Sequence, residues 1–130
     1  MTAASLLAFC RRVVTIAIWP ALALVAWGEL TPHPPPLPGP WVWDKLDHYT
    51  AYAGLALMGS LGRWPRLSLL ASFLAATTLG GVLEILQSFV GRDAEWGDVL
   101  ANAIGAAIGV ALAWMVLRWG RALVGQDRRD

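Results

Sequence analysis

The sequence predicts an all-α protein, a four-helix transmembrane bundle built as two helical hairpins with both termini in the cytoplasm. Three observations lead there. The 130 residues are 57% hydrophobic and 15% charged, against about 45–50% and about 25% for a soluble domain, and mean hydropathy is +0.54. The apolar residues gather into four runs, each close to the roughly 20 helical residues that cross a bilayer. Eight tryptophans is a high count for this length, and tryptophan favours bilayer interfaces. Helices are expected rather than strands because lipid cannot satisfy an open sheet edge. A soluble bundle would need a polar face on every helix, and the segment 67–80 offers only hydroxyls.

Residues 1–12 are assigned to a cytoplasmic N-terminus closed by Arg11-Arg12. A secretory signal places its charge before the apolar run and a small-residue cleavage site after it. Here the run 13–30 follows the arginines and no such site follows the run, so it is taken as a retained span, with Pro20 expected to kink it. Leu7-Ala-Phe-Cys10 has its basic residues on the wrong side for a lipidation box, and with Cys10 the single cysteine there is no internal disulfide. Residues 31–40 hold so many prolines that neither helix nor strand is open to them. This stiff connector contains His33, which is given no role, and leads to the interfacial anchors Trp41 and Trp43. The second span covers about 44–61 and opens on Asp44-Lys45-Leu46-Asp47-His48. Gly62-Arg63-Trp64-Pro65-Arg66 forms a turn, and the third span covers about 67–90. A second charged turn, Gly91-Arg92-Asp93-Ala94-Glu95-Trp96-Gly97, leads to the fourth span at about 98–119. The four-helix domain thus occupies 13–120, and 121–130 is a cytoplasmic tail.

Charge sets the orientation. With four spans, all ten Lys and Arg residues except Lys45 and Arg92 fall on the side of the termini, and the positive-inside rule puts that side in the cytoplasm. The expected location is the bacterial inner membrane. A net charge of +1 leaves no basic footprint for nucleic acid. Glu29, Asp44, Asp47, Asp93, Glu95 and Asp98 then lie at the outer surface, with Glu84 below it. Glu29, Asp93 and Glu95 are expected to be solvated loop charges.

The remaining polar residues sit too deep for solvation. Glu84 lies in an apolar run about 10 Å below Gly91, at 1.5 Å per residue. A carboxylate facing a bilayer centre costs roughly 2.5–3.5 kcal/mol on insertion scales. Gln87 stands one turn above it on the same face. On the second span Asp44, His48 and Tyr52 share a face, and on the fourth Asp98 and Asn102 do. Gly105 and Gly109, and Gly80 and Gly81, extend two of these faces inward, where a neighbouring backbone can approach closely. Three polar faces at one depth predict a single pocket open to the outer leaflet. Glu84 is expected to find its partners there in His48 or Lys45, Arg92 and Asn102.

The set Asp44-Lys45-x-x-His48-x-x-x-Tyr52, Glu84-x-x-Gln87, Gly91-Arg92, Trp96-x-Asp98 and Asn102-x-x-Gly105 resembles the VanZ-like membrane proteins, over about residues 44–110. The resemblance implies about four or five transmembrane helices and a role in the cell envelope. The family is named for a member associated with resistance to the glycopeptide teicoplanin. The resemblance also carries over Asp44, Lys45, His48, Glu84, Gln87, Arg92, Asp98 and Asn102 as a functional set. The outer turn departs from the family in lacking the proline often seen before the arginine.

Several chemistries suit these residues. His48, Glu84 and Asp98 are the catalytic candidates: an imidazole beside a carboxylate is a general base, and a carboxyl in an apolar span is a general acid. Lys45 and Arg92 can hold a phosphate or carboxylate, with Asp44, Gln87 and Asn102 as further ligand-binding residues. The leading expectation is binding of an anionic head group, from a membrane lipid or a lipid-linked envelope precursor. The alternatives are a hydrolase or transferase acting on lipid phosphates and a purely structural cross-brace. A transport role would call for a homodimer, since four spans are few for alternating access. No metal is expected, because His48 is the one nitrogen ligand near the carboxylates, and no cofactor is expected either. Membership of Asp47, Tyr52 and Trp96 in the site is left open.

Overall fold

The computed structural model describes residues 3–32, 42–62 and 68–126, and among these the side chains of all but 3–4, 42–44 and 122–126. The proline-rich connector therefore lies outside the described residues, as does the side chain of Asp44. Four helices follow one another: α1 (Ala3–Leu30), α2 (Val42–Leu61), α3 (Leu69–Gln87) and α4 (Trp96–Gln126). No strand occurs among the described residues.

The helices depart from the expected spans at their ends. α1 starts ten residues before the expected span and runs straight through Arg11 and Arg12, because arginine is a good helix former and both side chains are exposed. Pro20 falls inside α1 without ending it. α3 begins at a capped end, where the Ser68 hydroxyl accepts the Ala71 N–H at 3.1 Å. It stops at Gln87 rather than at 90. There Gly91 takes φ +79° and the Arg92 N–H bonds back to the Gln87 carbonyl at 3.1 Å, the wider bond of a Schellman closure. α4 opens with Asp98 in its first turn, where the helix dipole favours a carboxylate.

Three helices are long and apolar enough to cross a membrane: α1 over Ser5–Leu30, α3 over Leu69–Gln87 and α4 over Trp96–Arg121. α2, with Asp44, Lys45 and Asp47 in its opening turns, falls outside that set and is the helix most enclosed by protein. It packs against α1, α3 and, most extensively, α4. The α2–α4 seam is backbone on backbone. A Cβ placed on Gly105 would stand 2.5 Å from the Tyr49 carbonyl oxygen and 3.0 Å from its Cα, and one on Gly109 would run into the Ala53 carbonyl. Gly81, expected to serve a similar approach, has nothing within 4 Å of its Cβ position.

The core between the helices is small: Ile18, Tyr52, Leu55, Ala56, Ala76 and Ala106. Large apolar side chains such as Ile16, Trp27, Leu70, Ile85 and Phe89 point outward instead. Helices apolar all round need a non-aqueous surrounding, and this surface suits lipid. The chain runs up and down, so the C-terminal ends of α1 and α3 meet the N-terminal ends of α2 and α4 at one end of the bundle. Nearly all of its buried charge is collected there.

Candidate functional site

Each helix contributes to that end. α1 supplies Glu29, α2 supplies Lys45, His48 and Tyr52, α3 supplies Glu84 and Gln87, and α4 supplies Asp98 and Asn102; all are buried except Lys45, which is partly exposed. His48 is the hub. Its Nδ1 hydrogen-bonds Asn102 Oδ1 at 2.9 Å. An amide oxygen only accepts, so in this bond Nδ1 is the donor. Nε2 faces Asp98 Oδ2 at 3.9 Å, beyond hydrogen-bond distance. Glu29 Oε1 approaches the other side of the ring, 3.7 Å from Nδ1. Tyr52 lies parallel to the imidazole with ring centroids 6.5 Å apart.

The two cations divide between different tasks. Lys45 donates to Asp98 Oδ1 and, at 2.9 Å, to Glu95 Oε2. This lysine bond holds the exposed Glu95 carboxyl below its usual range. Arg92 turns away from Glu84 and donates through one nitrogen to the carbonyls of Gly28 and Glu29, at 3.2 and 3.0 Å. Gln87 joins it on the Glu29 carbonyl at 3.0 Å. Both thus serve the open C-terminal carbonyls of α1, which a helix leaves without partners. Glu84, only 2% exposed, accepts the backbone N–H of Glu95 at 3.1 Å through Oε2.

Not every buried group is satisfied. Glu29 Oε2, Tyr52 Oη, Glu84 Oε1 and Asn102 Nδ2 make no hydrogen bond. The Tyr52 hydroxyl neighbours the Glu29 carboxylate, yet the pair does not reach full hydrogen-bond geometry. Two further unpaired hydroxyls, on Ser72 and Thr77, lie elsewhere along α3. One ligand atom from each of His48, Glu84 and Asp98 lies within 4.8 Å of the other two.

The VanZ/LLP1 family model matches residues 12–118, from α1 through α4. The chain belongs to the VanZ/LLP1 family. No curated protein and no solved structure matches it. The family match reaches back over α1, beyond the 44–110 stretch in which the VanZ-like residues were first recognised, and α1 holds a member of the cluster that sequence reasoning missed. Glu29 was expected to be a solvated loop charge; it is 8% exposed and sits against His48. Its position on the helix carries it inward. Ile18, Leu22, Val25 and Glu29 follow one helical stripe, and the first three pack on the core.

Of the expected VanZ-like set, the structure brings together Lys45, His48, Glu84, Gln87, Asp98 and Asn102. Arg92 joins through the end of α1 and not through Glu84, because the Gly91 turn aims it there. Asn102 lies against Gly80, whose Cβ position is 2.6 Å from Nδ2, rather than on Glu84. Glu95, also expected to be solvated only, lends its backbone N–H to Glu84 and its carboxylate to Lys45. Asp47 is exposed on α2, and Trp96 is 86% exposed at the start of α4. Gly91→Ala, which must hold φ +79° with a Cβ, is expected to cost about 1–2 kcal/mol and to loosen Arg92. A thermal melt of the detergent-solubilised protein checks the first effect.

Proposed function

We propose that this VanZ-like envelope protein binds the anionic head group of a membrane lipid or lipid-linked envelope precursor at this end of the bundle, with Lys45 and Arg92 taking its charge and the His48, Glu84 and Asp98 cluster its hydroxyls. The carrying observation is the set of unsatisfied atoms at that end: Glu29 Oε2, Tyr52 Oη, Glu84 Oε1 and Asn102 Nδ2. A cross-brace built for stability alone would pair them. Interhelical hydrogen bonds in membranes average about 0.6 kcal/mol, whereas each buried unsatisfied group costs about 1–3 kcal/mol. The Tyr52 hydroxyl and the Glu29 carboxylate neighbour one another, so the weight of this comparison falls on Glu84 Oε1 and Asn102 Nδ2. The unpaired carboxylate oxygens ask for donors, as sugar or glycerol hydroxyls provide. Lys45 has a third N–H beyond its two present bonds and Arg92 its remaining guanidinium N–H groups, suited to phosphate oxygens. With the termini cytoplasmic, this end faces the outer leaflet, where lipid-linked precursors are displayed, and tolerance to teicoplanin is the cellular readout.

A second reading, hydrolysis or transfer on a lipid phosphate, draws on the His48 ring. Asn102 fixes its tautomer and leaves Nε2 as a base. Native mass spectrometry in mixed lipids tests the first reading. Wild type is expected to retain polyprenyl-phosphate sugar or phosphatidylglycerol over phosphatidylcholine. Glu84→Gln, equal in size, is expected to weaken retention about 10-fold, or about 1.4 kcal/mol, at unchanged abundance. Equal retention of phosphatidylcholine, or loss of abundance alone, would return the cluster to bracing. Phosphate release from a polyprenyl pyrophosphate would favour the second reading.

A further inference from the structure

We infer that His48, Glu84 and Asp98 form a site for one divalent transition cation of the zinc or manganese class. The expectation of no metal rested on the single nitrogen ligand, and the geometry outweighs it. One nitrogen and two carboxylates is a donor set that Zn²⁺ and Mn²⁺ accept. The carboxylates gathered at this end, Glu29, Glu84, Glu95 and Asp98, outnumber the cations Lys45 and Arg92, so charge remains to balance the ion.

The arrangement of the second atoms supports this assignment. Metal-ligating histidines donate their other ring N–H to an oxygen acceptor, and ligating carboxylates are themselves hydrogen-bonded. His48 donates Nδ1–H to Asn102 Oδ1. Asp98 takes Lys45 on Oδ1. Glu84 takes the Glu95 N–H on Oε2. Each residue is thus anchored through one atom. The atoms that remain are His48 Nε2, Asp98 Oδ2 and Glu84 Oε1. The first two face each other at 3.9 Å without a hydrogen bond, and the third is buried without a partner.

With the imidazole neutral all three atoms are acceptors, and one cation among them satisfies them together. Ligand atoms from the three residues fall within 4.8 Å of one another. Around Zn²⁺ with bonds of about 2.0–2.1 Å, tetrahedral ligands stand about 3.4 Å apart, so the ion would draw the three side chains closer together. Three protein ligands leave a fourth position for water or an oxygen of a bound molecule.

The inference goes beyond head-group binding and is tested without lipid. The full chain, purified in detergent and stripped with a chelator, is titrated with Zn²⁺ or Mn²⁺ by calorimetry and assayed for retained metal after gel filtration. One ion per chain is expected, with a raised melting temperature. His48→Gln, Glu84→Gln and Asp98→Asn are each expected to weaken binding at least about 10-fold. Asn102→Ala, which frees the ring without removing a ligand, is expected to weaken it about 10–100-fold. Asp47→Asn, an exposed position on α2, is expected to bind like wild type. Should the ligand variants fail to fold, Co²⁺ absorption and the His48 imidazole resonance in the wild type supply the readout. A tetrahedral cobalt band and a shifted ring signal are expected. No stoichiometric ion, wild-type affinity in His48→Gln and Glu84→Gln, or an unmoved His48 signal would overturn the site and leave an adventitious ion only. Metal binding that fails while lipid retention persists refutes this inference alone.

Discussion

Gly109→Val is expected to destabilise the bundle severely. The position lies where α4 meets the backbone of α2, and its Cβ site runs into the Ala53 carbonyl. Overpacking a core by a few methyl groups costs about 1–3 kcal/mol when side chains can move aside. Here the obstacle is main chain, so relief requires moving one whole helix from the other. That would also pull Lys45 from Asp98 and His48 from Asn102, the bonds that join α2 to α4. The loss is expected to reach at least about 3 kcal/mol, a large part of a typical total of about 5–15 kcal/mol. Gel filtration and thermal melts in detergent provide the measurement. Gly81→Ala is the companion: with nothing within 4 Å it is expected to be neutral or to gain up to about 1 kcal/mol from helix propensity. Equal behaviour of the two variants would refute the account of the seam.

Gly80 and Asn102 are expected to be strongly non-additive. A Cβ on Gly80 would press on the Asn102 side chain at 2.6 Å from Nδ2 and 2.9 Å from Cβ. Asn102 is fully buried and held by His48, so it cannot swing away without releasing the ring. Gly80→Ala alone is expected to cost about 1–3 kcal/mol. Asn102→Ala alone loses a buried hydrogen bond and leaves His48 Nδ1–H unpaired, again about 1–3 kcal/mol. In the double variant the new methyl fills part of the space the amide leaves. The cost of Gly80→Ala should then largely vanish, with a coupling of about 0.5–3 kcal/mol in the cycle. Simple addition of the two costs would mean that the contact has no energetic weight.

The four helices were legible because their apolar runs are long and the breaks between them are chemically abrupt. The depth of Glu84, Gln87, Asp98 and Asn102 was legible from helical rise alone, and that was enough to bring α2, α3 and α4 to one site. Which face of α1 turns inward was not legible. α1 is apolar nearly all round, so no polar side marks its outward face, and Glu29 at its end looked like a surface charge. Arg92 was misdirected for another reason. Its partners are the carbonyls of Gly28 and Glu29, main-chain atoms that no residue type announces. Glu84 likewise takes a main-chain N–H, from Glu95. Side-chain logic alone looked for its partners among Lys45, His48, Arg92 and Asn102, of which His48 lies in its immediate cluster.

The separation between α2 and its principal partner has a consequence for how the protein is made. Lys45 pairs with a residue 53 positions later and His48 with one 54 later. At roughly 5–20 residues per second of synthesis, α2 emerges about 3–10 s before the part of α4 that neutralises it. During that interval its lysine and imidazole have no Asp98 or Asn102 to meet. The helix whose opening turns carry Asp44, Lys45 and Asp47 is thus the one that waits for partners supplied by the last helix made.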